Sequence, residues 1–595
     1  MRYTPTTLLA LVEQGLPKNG TGTVAATKRD GTWIETSPAD FTRDVERFAM
    51  GLRALGVTRG DRVALHSENC TEWLIADQAL LSLGAVSVPI YTTQPADQVQ
   101  YIVQNSGAVA YVVSGPKLWS GVAQALAGVE SLKAVIGIRG AFAPGVTAWA
   151  DVLDSGRKAA EAEPGVFAAE RAKATPEDLA TLIYTSGTTG MPKGVMLTHW
   201  NLASNVLSSL ERMPWSIEGE RGGKILSYLP LSHVFERMLS YLYQHIGYPV
   251  WFVESFEELL ADLQVVRPVH FSSVPRLLEK VHTAIHAKPD QLSGIQRSIM
   301  RWGLSLADRY DVEKPVAGLD TVQYALADAL VFKKIRALFG GNLKAITSGG
   351  AALSREVMNF INAVGIFCGQ GYGLSETSPV IAVYTRGALR AGSVGAPITD
   401  VEVKIADDGE ICVRGPGVMK GYFEAPEATA EAIDAEGWFR TGDVGQIDGQ
   451  GYLFITDRKK ELLKLSTGKY VAPQPIEARL AASRYIERAV VIGNSRQFAS
   501  ALIVVDTVAI RGYLAEKGRP VPEGAEVLDA PGVKELVQAE IEQVNADLPH
   551  WEQVKRFSLV RRPWSIETGE LTPTLKIKRR VVHERHADEI QKMYV

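Results

Sequence analysis

Residues 62–113, RVALHSENCTEWLIADQALLSLGAVSVPIYTTQPADQVQYIVQNSGAVAYVV, decide the architecture. RVALH (62–66) reads as a buried strand, and 71–83 carries apolar residues at helical spacing. AVSVPI (85–90) is strand-like again, 96–104 suggests a helix, and AVAYVV (108–113) is a third strand. Apolar strands alternating with helices predict an open, largely parallel sheet with helices on its faces.

Outward from this stretch, the rhythm resumes near 179–184, 267–272, 345–347 and 366–367. Residues 256–339 are richer in amphipathic, helix-like pieces, which are expected to pack on the sheet. From 401 the texture changes to short β-rich pieces, 401–405, 410–414 and 451–455, separated by Gly, Pro and Asp-Gly turns. Asp448-Gly449 ahead of GYLFI is a hairpin signal. After Asp457 the chain begins again, with a helix at 475–482, strands at 489–492 and 501–505, helices to 546 and a basic tail. The expected fold is α/β: a large N-terminal domain (1–457) of parallel sheets flanked by helices, with a small β-barrel-like subdomain over about 390–457. An α+β C-terminal domain (458–595) follows.

At 595 residues the chain is too long for one compact core. Its 63 basic and 67 acidic side chains leave a formal charge of −4, with none of the basic excess of a general nucleic-acid binder. Cys70, Cys368 and Cys412 are odd in number, far apart and without CxxC spacing, which argues against a disulfide scaffold or zinc site and fits a reducing compartment. The apolar run at 8–12 ends at Glu13, too short for a signal-peptide core. No stretch approaches the roughly eighteen uncharged apolar residues of a membrane helix. The expected location is cytoplasmic, with peripheral membrane contact left open and motivated only by the substrate inferred below.

The strongest chemical signal is YTSGTTGMPKG, 184–194. Glycines let backbone N–H groups converge on an anion, hydroxyls add donors, and Lys193 adds charge. A Walker A loop is excluded: Lys193 is flanked by Pro192 and Gly194, where GK[ST] would be required. The alternative reading of the segment by itself, a Gly/Thr hairpin tip, is the weaker one.

In its company the segment resembles the signature of the adenylate-forming (AMP-binding) superfamily of acyl-CoA synthetases, luciferases and peptide-synthetase adenylation domains. SGGAAL (348–353), GYGLSET (371–377), WFRTGD (438–443), DRKKELLK (457–464) and PTLKIKR (573–579) follow in the family's order. LSYLPLSHVFERM (226–238), SSVPRLLEKV (272–281) and DRKKELLKLSTGKYVAP (457–473) look like its long-chain fatty acyl-CoA synthetase branch. The resemblance implies an AMP-forming acid–thiol ligase that uses ATP, CoA, a fatty acid and Mg²⁺, with a C-terminal domain that moves between two half-reactions.

It also implies roles residue by residue. Ser186, Gly187, Thr188, Thr189, Gly190 and Lys193 would cradle the phosphates. Glu376 and Thr185 would bind Mg²⁺, for which one carboxylate plus substrate phosphates is normal. Gly349, Gly350 and Ala351 with Tyr372 would meet the adenine, and Gly371, Gly373, Ser375 and Thr377 complete that loop. Asp443 with Arg458 would take the ribose, since a carboxylate offers two acceptors to a vicinal diol. Lys576 would bridge the carboxylate and the α-phosphate, offsetting the repulsion of two anions. Asp457 and Lys460 fall at the hinge, and Lys464 would approach the adenylate. His233 and Phe235 would border the acyl pocket.

Alternatives stay open at this point: transfer to a carrier protein in place of CoA, an aryl acid in place of a fatty acid, or a nucleotide-binding scaffold without chemistry. The last is opposed by the presence of Lys193, Glu376, Asp443, Arg458 and Lys576 together. The oligomeric state is open, a homodimer included.

Overall fold

The computed structural model describes residues 1–595 except 21, 186–190, 218, 221, 256, 315, 386, 460 and 573–574. The chain forms two compact units. One comprises Met1–Leu278, Ala284–Lys404 and Cys412–Arg440; the other comprises Glu279–Thr283, Ile405–Ile411 and Thr441–Val595.

In the first unit, the decisive stretch folds as its pattern predicts. Strands Arg62–His66, Val86–Ile90 and Ala110–Val113 run parallel, with Arg62 opposite Val86 and Val63 opposite Ala110. Helix Thr71–Leu83 connects the first two and is buried at every position except Glu72. A helix buried on every side needs cover on all sides. It packs against Val86–Ile90 of one sheet and Ala25–Arg29 of another. Gly84 ends it in the left-handed region, φ 67°, where a side chain would be strained.

These strands belong to an eight-stranded sheet ordered Gly421–Tyr422, Lys193–Thr198, Leu179–Thr185, Val86–Ile90, Arg62–His66, Ala110–Val113, Ala134–Gly137, Thr147–Ala148. The nine-stranded sheet runs from Ala396–Pro397 through Val380–Val383, Phe367–Gly373, Ala345–Ser348, His270–Ser273, Ile225–Ser227, Val250–Phe252 and Ala25–Arg29 to Thr32–Thr36. Its middle strands are parallel and its ends antiparallel. The amphipathic region contributes Leu259–Val266, Pro275–Ala287, Gly294–Asp308, Leu319–Ala327 and Lys333–Leu338, all helical as expected. One β-rich piece goes elsewhere than the pattern suggests. Gly421–Tyr422 pairs antiparallel with Lys193–Thr198, Tyr422 opposite Val195.

The second unit contains the hairpin signalled by Asp448-Gly449. Its strands pair Asp443 with Arg458 and Ile447 with Leu453. Asp448 Oδ1 accepts from the backbone N–H of Gln450 and Tyr452 at 2.9 and 3.0 Å, which closes the turn. Further on, Ile486–Ile492 pairs antiparallel with Ala499–Val505, which pairs in parallel with Val554–Leu559. Strand alternation sorts the layers. Ala489, Val491, Ala501 and Ile503 join a core with helices Pro473–Ala481 and Val533–Ala546. Val490, Ile492, Leu502 and Val504 face the opposite core, which includes Trp564, Val582 and Ile590. Among the described residues, no helix is long and apolar enough to cross a membrane.

Candidate active site

Strand Leu179–Thr185 is held from behind by a buried cation. Arg237, on helix Val234–Ile246, donates to Thr181 Oγ1 and Ser87 Oγ, both at 2.7 Å, and to Asp77. Its Nε meets the Tyr241 hydroxyl at 3.0 Å, and Tyr241 donates to Asp77 at 2.5 Å. A buried guanidinium is tolerable only when its donors are satisfied in this way. Next to it, Glu236 accepts from Ser227 Oγ at 2.5 Å and from Ser272 Oγ. Burial pushes its carboxyl up to about 7, against those two hydroxyls.

Thr185 ends that strand directly opposite Lys193, so the two stand across the mouth of the glycine-rich hairpin. The five positions between Thr185 and Met191, namely Ser186, Gly187, Thr188, Thr189 and Gly190, lie outside the described residues, as does the hinge candidate Lys460. Gly194 sits in a tight place: a Cβ there would stand 3.1 Å from the Tyr184 ring and 3.4 Å from Phe423 Cβ.

The turn Ser375–Thr377, carrying Glu376, packs against Lys193–Thr198. The Tyr422 hydroxyl donates to Glu376 Oε1 at 2.9 Å, while the Lys193 ammonium lies 4.9 Å from the centre of the Tyr422 ring. Burial, and then the Glu376 charge, push the Tyr422 phenol up, so it remains a hydrogen-bond donor. The fold therefore brings Lys193 and Glu376 to one tyrosine, with Thr185 paired opposite Lys193. Sequence reading missed Tyr422, because a tyrosine in GYFEAP carries no chemical signal of its own. Thr377 is buried, and its hydroxyl donates to the carbonyls of Leu374 and Pro379 at 3.1 and 2.5 Å, so it closes the turn. Gly373 cannot bear a side chain, because a Cβ would fall 1.8 Å from the Pro379 carbonyl oxygen. Ser375 and Gly371 are half-buried, and Tyr372 is buried on strand Phe367–Gly373.

His233 caps helix Val234–Ile246, its Nδ1 accepting from the Phe235 N–H at 3.2 Å, with the Tyr91 ring 6.5 Å away. Phe235 projects onto Gly349, where a Cβ would approach its ring to 3.3 Å. The Gly349 N–H donates to the Ser273 carbonyl at 3.0 Å; Gly350 follows with φ 83°, and Ala351 is exposed. Small residues thus keep the end of strand Ala345–Ser348 open beside an aromatic ring.

In the second unit, Asp443 is buried and accepts from Arg458 Nε at 2.9 Å across the hairpin. Its N–H is taken by Thr441 Oγ1 at 3.1 Å. Lys459 binds Asp408 and Glu410 at 2.6 and 2.9 Å. Asp457 is buried at the end of strand Leu453–Arg458, with Oδ2 unpartnered. Burial pushes its carboxyl up to about 7. Lys464 is exposed on Leu463–Lys464, its ammonium 5.7 Å from the Tyr470 ring centre. Lys576 is exposed on a tight turn pinned by the Leu571–Ile577 bridge and by a 2.8 Å bond from the Thr572 N–H to the Lys576 carbonyl.

Thr185 and Glu376 offer hydroxyl and carboxylate oxygens, the hard donors that Mg²⁺ takes, so this donor set fits that ion. Comparison with known proteins identifies the family. Residues 17–423 match the AMP-binding enzyme family and 460–595 match the AMP-binding enzyme C-terminal domain. The chain is 37% identical to the long-chain-fatty-acid–CoA ligase FadD15 of Mycobacterium tuberculosis, over 95% of this chain and 93% of that one. It is 34% identical to the peroxisomal long chain acyl-CoA synthetase 7 of Arabidopsis thaliana, over 95% and 83%. The fold matches the adenylation domain of a carboxylate reductase from Mycobacterium chelonae, with a TM-score of 0.75, 22% identity and coverage of 100% and 92%. With a family match on either side of residue 440, and relatives along nearly its whole length, the chain belongs to the AMP-binding enzyme family.

Proposed function

We propose that the protein is a long-chain fatty acid–CoA ligase working in the cytoplasm through an acyl-adenylate. The observation that carries this is the glycine-rich hairpin with Thr185 and Lys193 paired across its mouth and Glu376 anchored beside it by Tyr422. The relatives named long-chain-fatty-acid–CoA ligase and long chain acyl-CoA synthetase supply the substrate class.

In the first step an acyl carboxylate oxygen attacks the α-phosphorus of ATP, and the bond to pyrophosphate breaks. The acid is already ionised at neutral pH, so no base is required. Lys193 and the loop backbone hold the phosphates. Mg²⁺, held by Thr185 and Glu376, would neutralise phosphate charge when bound. Asp443, oriented by Arg458, takes the ribose hydroxyls, and adenine lies along Gly349, Gly350, Ala351 and Tyr372. Lys576 supplies a cation where the two anions meet. In the second step the CoA sulfur attacks the acyl carbonyl, the thiol proton is lost and AMP departs. We take 1–457 and 458–595 as the two working domains, with Asp457 and Lys460 as the pivot and Lys464 near the adenylate. His233 and Phe235 mark the boundary between acyl pocket and nucleotide.

The test is thioester formation from ATP, Mg²⁺, CoA and acids from acetate through palmitate and oleate to coumarate, read by mass spectrometry. A maximum at long chains is expected. Acyl-AMP accumulating without CoA ester would move the acceptor to a carrier protein, and a coumarate optimum would overturn the fatty-acid assignment.

A further inference from the structure

Helix Leu319–Ala327 continues through one π-helical turn, Asp328–Phe332, into Lys333–Leu338. Its inner side is anchored. Ala327, Val331, Phe332 and Ile335 are buried, and the Tyr324 hydroxyl donates to the Leu306 carbonyl of helix Gly294–Asp308 at 2.7 Å. An anchored surface helix ordinarily turns polar residues outward. This one exposes Leu319 (82%), Val322 (67%), Leu326 (52%) and Leu330 (39%). Steps of three, four and four residues set these side chains on one stripe. Lys333 and Lys334, both exposed, come next at the same spacing. Of the two acids between 319 and 334, Asp320 is exposed and Asp328 is neutralised by Arg336, at 3.1 Å.

We propose that this outer stripe docks on a lipid bilayer bearing anionic headgroups. The apolar side chains enter the boundary between headgroups and acyl chains, and Lys333 and Lys334 reach back to headgroup phosphates, as amphipathic interfacial helices do. Charge points to this occupant: the stripe runs into a lysine pair, which an anionic surface complements. Size opposes a second copy of the chain. The twelve residues from Leu319 to Leu330 at 1.5 Å each, by one helix width of about 10 Å, give roughly 180 Å². A stable dimer buries about 800 Å² per partner. The functional link rests on the reading above, since a long-chain acid partitions into membranes and a docked enzyme would meet it there.

The test is flotation of the full-length protein with vesicles of phosphatidylcholine alone, or with about one-third phosphatidylglycerol. The wild type should float with the anionic vesicles about tenfold more than with neutral ones, and less as salt rises. Val322→Glu with Leu326→Glu should cut flotation on both at least about tenfold while leaving turnover of a short, water-soluble acid unchanged. Lys333→Ser with Lys334→Ser should abolish only the preference for anionic vesicles. Wild-type protein that floats with neither vesicle, or a double glutamate variant that floats like wild type, would overturn the proposal. So would a wild-type dimer, seen by sedimentation, that the double glutamate variant dissociates. Flotation without thioester formation would keep the docking surface and remove the ligase reading, so the two fail separately.

Discussion

The Tyr422 hydroxyl and the Glu376 carboxylate meet at 2.9 Å, although 46 residues separate them in the chain. Tyr422 sits on the two-residue strand that pairs with Lys193–Thr198, and its ring lies beneath the Lys193 ammonium. One side chain therefore touches both an anion and a cation beside the glycine-rich segment.

Tyr422→Phe should keep the ring and lose the hydrogen bond. A bond to a charged group contributes about 1.5–3 kcal/mol, so adenylation at limiting Mg²⁺ should fall about tenfold or more. ATP–pyrophosphate exchange measured across a Mg²⁺ titration checks this. The half-saturating Mg²⁺ concentration should rise while the melting midpoint changes little; an unchanged Mg²⁺ titration would detach Tyr422 from Glu376's role.

The layers were legible in the sequence because their elements carry apolar residues in strand-like runs or at helical spacing, as at Arg62–His66 and Thr71–Leu83. The Asp448-Gly449 hairpin was legible because its turn chemistry is local. Strand Val554–Leu559 was not: it is an outer strand whose Lys555 and Arg556 are exposed, so VKRFSL has no apolar run. Arg237 reads like a surface charge in HVFERM, and only the fold brings Asp77, 160 residues away, to it. Tyr422 escaped for the same reason. Motif residues could be found one by one, but the groups that hold them are distant in sequence.

Arg237 and Asp77 yield a stability prediction. Arg237→Met should destabilise by about 3–5 kcal/mol, because it strands a buried carboxylate. Adding Asp77→Leu should recover part of that loss, since the remaining partners, Ser87, Thr181 and Tyr241, are neutral. Chemical denaturation of the two single variants and the double variant measures the coupling. Additive losses would mean the pair is not one unit.

Glu236 yields a pH dependence. Its folded carboxyl is raised to about 7 by burial, whereas an unfolded glutamate titrates near about 4.3. Between those values the folded state holds a proton that the unfolded state has released, so the contribution to stability falls as pH rises through that window. Glu236→Gln does not titrate and keeps contact with the Ser227 and Ser272 hydroxyls. The melting midpoint of the variant relative to wild type should therefore increase from pH 5 to pH 8; a difference flat with pH would refute the burial of an ionisable carboxyl.

Lys576 and Asp443 belong to the second unit, and their variants should separate the steps. Lys576→Ala should reduce acyl-AMP formation by about 10²–10³-fold, the scale for removing a transition-state charge contact. Thioester formation from preformed acyl-AMP should persist, because there the sulfur attacks the acyl carbon and not phosphorus, so a carboxylate and a phosphate no longer have to be brought together. Asp443→Asn keeps the shape of the Arg458 contact but removes the charge and one acceptor. Its KM for ATP should rise about tenfold or more with the KM for the acid unchanged. Single-turnover assays begun from ATP and from acyl-AMP distinguish the two. If Lys576→Ala slowed both half-reactions equally, the lysine would be supporting its 571–577 turn and not the first of them.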